Sequence, residues 1–231
     1  MITIKIKVST AHETEMHQSY LIGVLLAAAG GFIDAYTYIT RGGVFAYAQT
    51  GNIVLLGINI GKGDFSRSLS YIIPIVTFIL GIFIVEWLKK RFTPRQKNWR
   101  QMVIAIEALI VLAVCFIPYG KSTNPLAIIL ISLVSALQYE SFHNLRGKAF
   151  ASTMCTGNLR SGSENLYLFF ETRDKYYRNK AIQYFGIIFV FILGAILGTE
   201  LSGFFELKAA LFSLIFLAGA FIALFFDKSF I

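Results

Sequence analysis

Apolar residues along this chain gather into long blocks separated by short polar segments. Six blocks, near 20–40, 69–89, 101–118, 125–145, 181–203 and 207–227, are each long enough to span a hydrocarbon core roughly 30 Å thick, which takes about 20 helical residues. The pattern predicts six transmembrane helices. Two further segments fit less well: 45–60 is uncharged but short, and 149–170 carries Arg160 and Glu164, which are costly against lipid. Both read as broken or re-entrant segments rather than full spans.

Placing Asp34 to Asn52 over Glu140 to Asn158 needs one constant shift of 106 positions and no gap. It matches acid with acid, and Thr50-Gly51-Asn52 with Thr156-Gly157-Asn158. Phe78-Ile79-Leu80-Gly81 then recurs as Phe191-Ile192-Leu193-Gly194, shifted by 113. An internal repeat is the economical explanation. The expected fold is therefore an all-α, polytopic transmembrane bundle of two repeats, each with three long helices and one broken or re-entrant Thr-Gly-Asn segment. Residues 1–19 form a cytoplasmic N-terminal segment, 20–120 the first repeat and 121–231 the second. Three crossings per half is an odd number, so the second half enters the membrane from the opposite side, an inverted-topology repeat.

Composition supports lipid as the solvent: 56% of the 231 residues are hydrophobic, 15% are charged and the mean hydropathy is +0.65, too apolar for a soluble globular chain. A net charge of +8 suggests nucleic acid at first sight. The cations lie in short segments between apolar runs, however, as in cytoplasmic loops facing anionic lipid. With six spans and a cytoplasmic N-terminus, 16 of the 21 cations fall inside, and only Arg41, Lys62, Arg67, Lys121 and Lys208 lie outside. Counting the motif segments as full spans splits the cations almost evenly, so the charges favour six spans. The expected location is a cell membrane, specifically an inner membrane, with both termini cytoplasmic. Lys5, Lys7 and the run ending at Ala27-Ala28-Ala29 imitate a secretory signal. Glu13, Glu15 and the continuation to Ile39 favour a retained first helix. Cys115 and Cys155 have neither metal-like spacing nor a disulfide framework and read as packing residues.

Gly23, Ala27, Gly31 and Ala35 recur at every fourth position of the first helix, a smooth ridge on which another helix can approach closely. Asp34 lies beside that ridge and is expected to point into the protein, where water or a partner offsets its desolvation. Ser132, Ala136, Glu140 and Asn144 have the same spacing in the second half, with His143 adjacent and Gln138 off the stripe. Two readings of the acids stand side by side: binding a cation, proton or polar substrate, or pairing structurally with Arg160, His143 or a backbone donor. Each Thr-Gly-Asn triplet supplies a hydroxyl, a residue tolerant of unusual backbone angles and an amide. That set suits a helix break lining a polar cavity, and equally a capped and packed helix turn. Glu86, beside Trp87 and Lys89-Lys90, reads as an interfacial anchor, and Glu107 and Glu200 as structural. Gly194, Gly198 and Ser202 form a second small-residue ridge, fit to join two helices of one subunit or two subunits.

The run Gly30-Gly31-Phe32-Ile33-Asp34-Ala35, followed by Gly42-Gly43-Val44-Phe45 and Thr50-Gly51-Asn52, resembles the YoaK-type family of integral membrane proteins, which carries a domain of unknown function. Gln138 and Thr156-Gly157 extend the resemblance, which covers most of the chain from about residue 20 onwards. It implies six spans and no established activity. The chain departs from the expected family pattern where Tyr139 and Glu140 follow Gln138.

Three function classes compete. Inverted halves, paired breaks and buried acids favour a secondary transporter or channel-like permease for a small solute, coupled to a cation or proton. Its substrate- or ion-binding set would be Asp34, Gln49, Thr50, Asn52, Gln138, Glu140, His143, Asn144, Thr156 and Asn158. The alternative is a non-transporting scaffold or partner-binding subunit. A membrane-embedded enzyme is least favoured, because no nucleophile with its base and no metal cluster stands at workable spacing. No catalytic residue, metal or cofactor is expected. The expected partners are membrane lipid, a small molecule or ion, and a second copy of the chain if it is a homo-oligomer; nucleic acid is not expected.

Overall fold

The structure, a computed structural model, describes residues 2–92, 99–142, 144–145, 148–149 and 155–226. It is all-helical apart from one short ribbon. The order is α1 (Ile2–Thr40), α2 (Gln49–Gly61), α3 (Phe65–Phe92), α4 (Trp99–Val114), α5 (Asn124–Phe142), β1 (Asn144–Leu145), β2 (Lys148–Ala149), α6 (Cys155–Thr172), α7 (Lys175–Phe205) and α8 (Ser213–Phe226). β1 and β2 pair antiparallel, with Asn144 opposite Ala149.

By length and composition, four stretches among the described residues can cross a membrane: Tyr20–Thr40, Phe65–Arg91, Asn124–Phe142 and Lys175–Phe226. The last contains both α7 and α8. α4 is equally apolar but has only 16 residues, a rise of roughly 24 Å at 1.5 Å per residue. Two expected boundaries are corrected. The block at 207–227 begins with a 3-10 segment, Glu206–Phe212, before α8 starts. The block at 125–145 ends as a helix at Phe142, which places Asn144 in β1 rather than on the helix. The fourfold stripe through Ser132 therefore ends at Glu140.

The core lies where α1 meets α7 and α8, and where α3 and α4 meet α5. α2 packs on α3, α6 packs on α7, and α4 meets α8. Small residues govern the tightest of these seams: a Cβ on Gly194 would lie 2.2 Å from the Ala28 carbonyl oxygen, and one on Gly198 would lie 2.5 Å from that of Phe32. Only glycine allows the two backbones this close. Because Gly194 meets Ala28 and Gly198 meets Phe32 in the same sense, α1 and α7 run parallel. The second small-residue ridge is thus used within the chain.

Side-chain bonds define the two ends of the bundle. At one end the Tyr36 hydroxyl donates to the Leu207 carbonyl and Arg41 donates to the Val114 carbonyl, gathering the ends of α1 and α4 and the α7–α8 junction. At the other, Lys89 donates to the Glu140 carboxylate at 2.6 Å and Arg100 to the Ser141 carbonyl at 2.9 Å. That gathers the end of α3, the start of α4 and the end of α5.

Candidate functional site

The break between α1 and α2 is built by residues on both sides of it. Arg41 continues the last turn of α1 by donating its N–H to Thr37. Gly42 (φ 92) and Gly43 (φ 73) then turn the chain, a conformation that side chains with a Cβ rarely adopt. The chain folds back along α1 instead of leaving the bundle. Its backbone N–H groups would be orphaned in an apolar interior, where each needs a partner. Asp34 supplies two: its Oδ1 accepts from the Tyr47 N–H at 2.8 Å and the Ala48 N–H at 3.1 Å. The Thr37 hydroxyl accepts from the Ala46 N–H. Asp34 is 5% exposed, and it holds the start of α2 beside α1, six residues before that helix ends.

The Thr-Gly-Asn triplet has a separate task at each position. Asn52, fully buried, accepts from the Phe45 N–H at 3.0 Å and donates to the Phe45 carbonyl at 2.6 Å and to Gln49 at 3.0 Å. Gly51 lies under the Phe45 ring, where an added Cβ would fall 2.8 Å from the ring. Thr50 is exposed, and it faces a cavity of about 430 Å³.

That cavity is where the two motifs meet. Its walls include Tyr47, Gln49 and Thr50 from the first motif, Cys155, Thr156 and Gly157 at the start of α6, and Ser135 and Tyr139 of α5. Phe78 and Phe191 close it with aromatic surface. Among the described residues the lining has no formal charge. It does hold the first turns of α2 and α6, whose helix dipoles give a partial positive field. Asn158 is buried, 2% exposed, behind Thr156.

Tyr47 links the cavity to a second polar layer. Its hydroxyl donates to Glu107 of α4 at 2.5 Å. With its amide nitrogen turned to this pair, Gln138 donates to Glu107 at 2.7 Å and to the Tyr47 oxygen at 3.1 Å. Glu107 is 1% and Gln138 0% exposed, so this three-residue cluster sits dry between α4, α5 and the α1–α2 loop. Buried polar groups persist only when bonded in this way.

The residues expected from sequence thus separate into groups. Gln49, Thr50 and Thr156 line the cavity. Asp34 and Asn52 face the loop backbone, and Gln138 faces Glu107. Glu140 forms an ion pair with Lys89 at one end of the bundle. Asn144 is in β1, and His143 lies outside the described residues. Sequence reasoning missed Tyr47, Ser135 and Tyr139, and it took Cys155 for a packing residue. It read Glu107 as structural but named no partner for it; the partners are Tyr47 and Gln138, and its depth, six residues into its block, was the available signal. Glu200 is exposed. Among the described residues, no group of three His, Cys, Asp or Glu side chains gathers where a metal ion could be held.

A helical bundle of this apolarity, folded around a buried polar layer and with a cavity between its two motifs, is a polytopic membrane protein. The chain matches the family model described as Protein of unknown function (DUF1275) over residues 22–225, and it belongs to that family. It is 28% identical over 180 residues to the UPF0700 transmembrane protein YoaK of Bacillus subtilis (strain 168), covering 75% of this chain and 79% of that protein. No solved structure matches it.

Proposed function

We propose that this protein is a permease for a small polar solute, which binds in the cavity between the two Thr-Gly-Asn segments. The observation that carries the reading is that one space of about 430 Å³ receives the first turns of both motif helices. Its size is within the roughly 300–1,000 Å³ of small-molecule sites. Two helix N-termini and the hydroxyls of Thr50, Thr156 and Ser135 suit a solute rich in hydrogen-bond acceptors, with an apolar portion against Phe78 and Phe191.

The helix pairing supports an internal duplication. Exchanging α1–α4 for α5–α8 converts α1·α7 into α5·α3, α1·α8 into α5·α4 and α2·α3 into α6·α7. In this reading α2 and α6 each enter part-way and return to the side they came from, which leaves six crossings. An odd number per half inverts the second repeat, and the distribution of loop cations supports cytoplasmic termini. Asp34 then serves as the fastener of the unwound loop, and Thr50 and Thr156 as solute-binding groups. The halves would rock around the cavity to open it to each side in turn. The chain is not an enzyme in this reading.

Two measurements test it. In proteoliposomes, Thr50→Val with Thr156→Val is expected to lower solute uptake at least tenfold while leaving the melting temperature unchanged. In addition, Cys155, on the cavity wall, is expected to react with a small charged thiol reagent, whereas Cys115, 5% exposed, stays unreactive. A folded protein that moves no solute from a broad panel, with Cys155 inert from both sides, would sink the proposal.

A further inference from the structure

A second cavity, of about 500 Å³, opens at the end of the bundle where α1 and α4 finish and α3 and α5 begin. Arg41, Arg67 and Lys121 line it, against a single carboxylate, Asp64. That carboxylate is already engaged at the start of α3, where it accepts the Arg67 N–H at 2.9 Å. The sequence places only five cations in the segments that gather at this end, and three of them face this one space.

Arg41 makes the site more than a cluster of surface charge. It is 1% exposed. Its Nη2 donates to the Val114 carbonyl at 2.9 Å and the Tyr36 hydroxyl at 3.2 Å, and its Nη1 to the Pro118 carbonyl at 3.4 Å. The carbonyls at the end of α4 offset part of the positive charge through the helix dipole. No carboxylate lies within ion-pairing distance of Arg41 among the described residues, where the ion pairs are those of Lys89. The buried Nε donor has no partner among the described residues. A buried guanidinium with neither a counter-charge nor a full set of acceptors is expensive. An anion seated in the cavity beside it would supply the counter-charge, and the exposed Arg67 guanidinium on the same wall matches phosphate and carboxylate oxygens well.

We infer that this cavity, walled by Arg41, Arg67 and Lys121, is a binding site for a phosphate- or carboxylate-bearing anion. The same chemistry is offered by a free small anion and by the headgroup of an anionic lipid. Leu69, Val44 and Ile128 on the wall are compatible with either source. The site is separate from the space between the motifs and does not depend on transport.

The test uses the full-length protein in neutral detergent and in nanodiscs. Thermal shift and calorimetry with inorganic phosphate and with citrate report a free anion. Native mass spectrometry after exchange into phosphatidylglycerol or phosphatidylcholine nanodiscs reports a lipid headgroup. Stabilisation by phosphate or citrate that weakens as ionic strength rises, or selective retention of one phosphatidylglycerol, supports the inference and names the source. The variant is Arg67→Ala with Lys121→Ala, two exposed positions, of which Arg67 bonds only the Tyr71 hydroxyl through its side chain; its melting temperature without anion checks that it is folded. It is expected to weaken whichever binding is seen at least tenfold, while Thr50→Val leaves it unchanged. The inference is overturned if neither anion shifts melting and phosphatidylglycerol is held no better than phosphatidylcholine. It is equally overturned if the double variant binds as the parent does.

Discussion

The two cavities recognise by different physics. The space between the motifs has hydroxyls, amides, aromatic rings and helix N-termini on its walls and no formal charge, whereas the one at the bundle end has three cations. Fixed charge deep in an apolar medium carries a desolvation cost that dipoles avoid. At the end of the bundle, water screens and solvates the exposed Arg67 and Lys121, so charge can be concentrated there. Charge that does go inside is tied off. Asp34 meets two backbone N–H groups, and Glu107 meets Tyr47 and Gln138. Arg41 is the exception: it bonds carbonyls and a hydroxyl but pairs with no carboxylate among the described residues, and it borders the end cavity.

The contrast can be broken first at Asp34, which hangs the wall of the neutral cavity. Asp34→Ala orphans two buried amides at about 1–3 kcal/mol each, and the folded yield and melting temperature in detergent are expected to collapse. Asp34→Asn keeps one acceptor oxygen and recovers part of both. Normal melting of the alanine variant would show that the loop is held by other means. Next in size is a transplanted charge. Thr50→Lys places an ammonium group in the uncharged cavity and is expected to destabilise by about 3 kcal/mol, whereas Lys121→Thr at the end cavity should stay within about 0.5 kcal/mol. Equal melting shifts for the two would remove the distinction between the cavities. A smaller loss than that of Thr50→Lys is expected from Tyr47→Phe. It leaves Gln138 donating to Glu107 but removes one donor to the carboxylate, a loss of about 1–2 kcal/mol. A hydroxyl worth nothing there would leave the melting temperature unmoved.

Much of the architecture was readable along the chain, since long apolar blocks have few options but to become spanning helices. The ridge Gly23, Ala27, Gly31, Ala35 correctly turned Asp34 inward, and Gly194 and Gly198 marked a close helix contact. The site was less legible because its partners are far apart in sequence. Tyr47 reaches Glu107 and Gln138 across 60 and 91 positions, separations over which spacing arguments carry no information. Glu140 matched Asp34 in alignment yet lies opposite Lys89, because α5 ends two residues beyond it whereas α1 continues for six beyond Asp34. Asn52 and Thr50, two positions apart, face opposite ways on one helical turn, the first clamping Phe45 and the second facing the cavity.

Sequence by itself determined that this protein resides in a membrane, which blocks of the chain are apolar helices and that it carries two matching motifs, because these follow from local apolarity and from identity at fixed spacing. Tertiary structure alone decided which acids are fasteners, which hydroxyls face open space and where an unneutralised guanidinium is left. Those outcomes depend on distances between chain segments, and a buried polar group is defined by whichever partner the fold brings within about 3 Å of it.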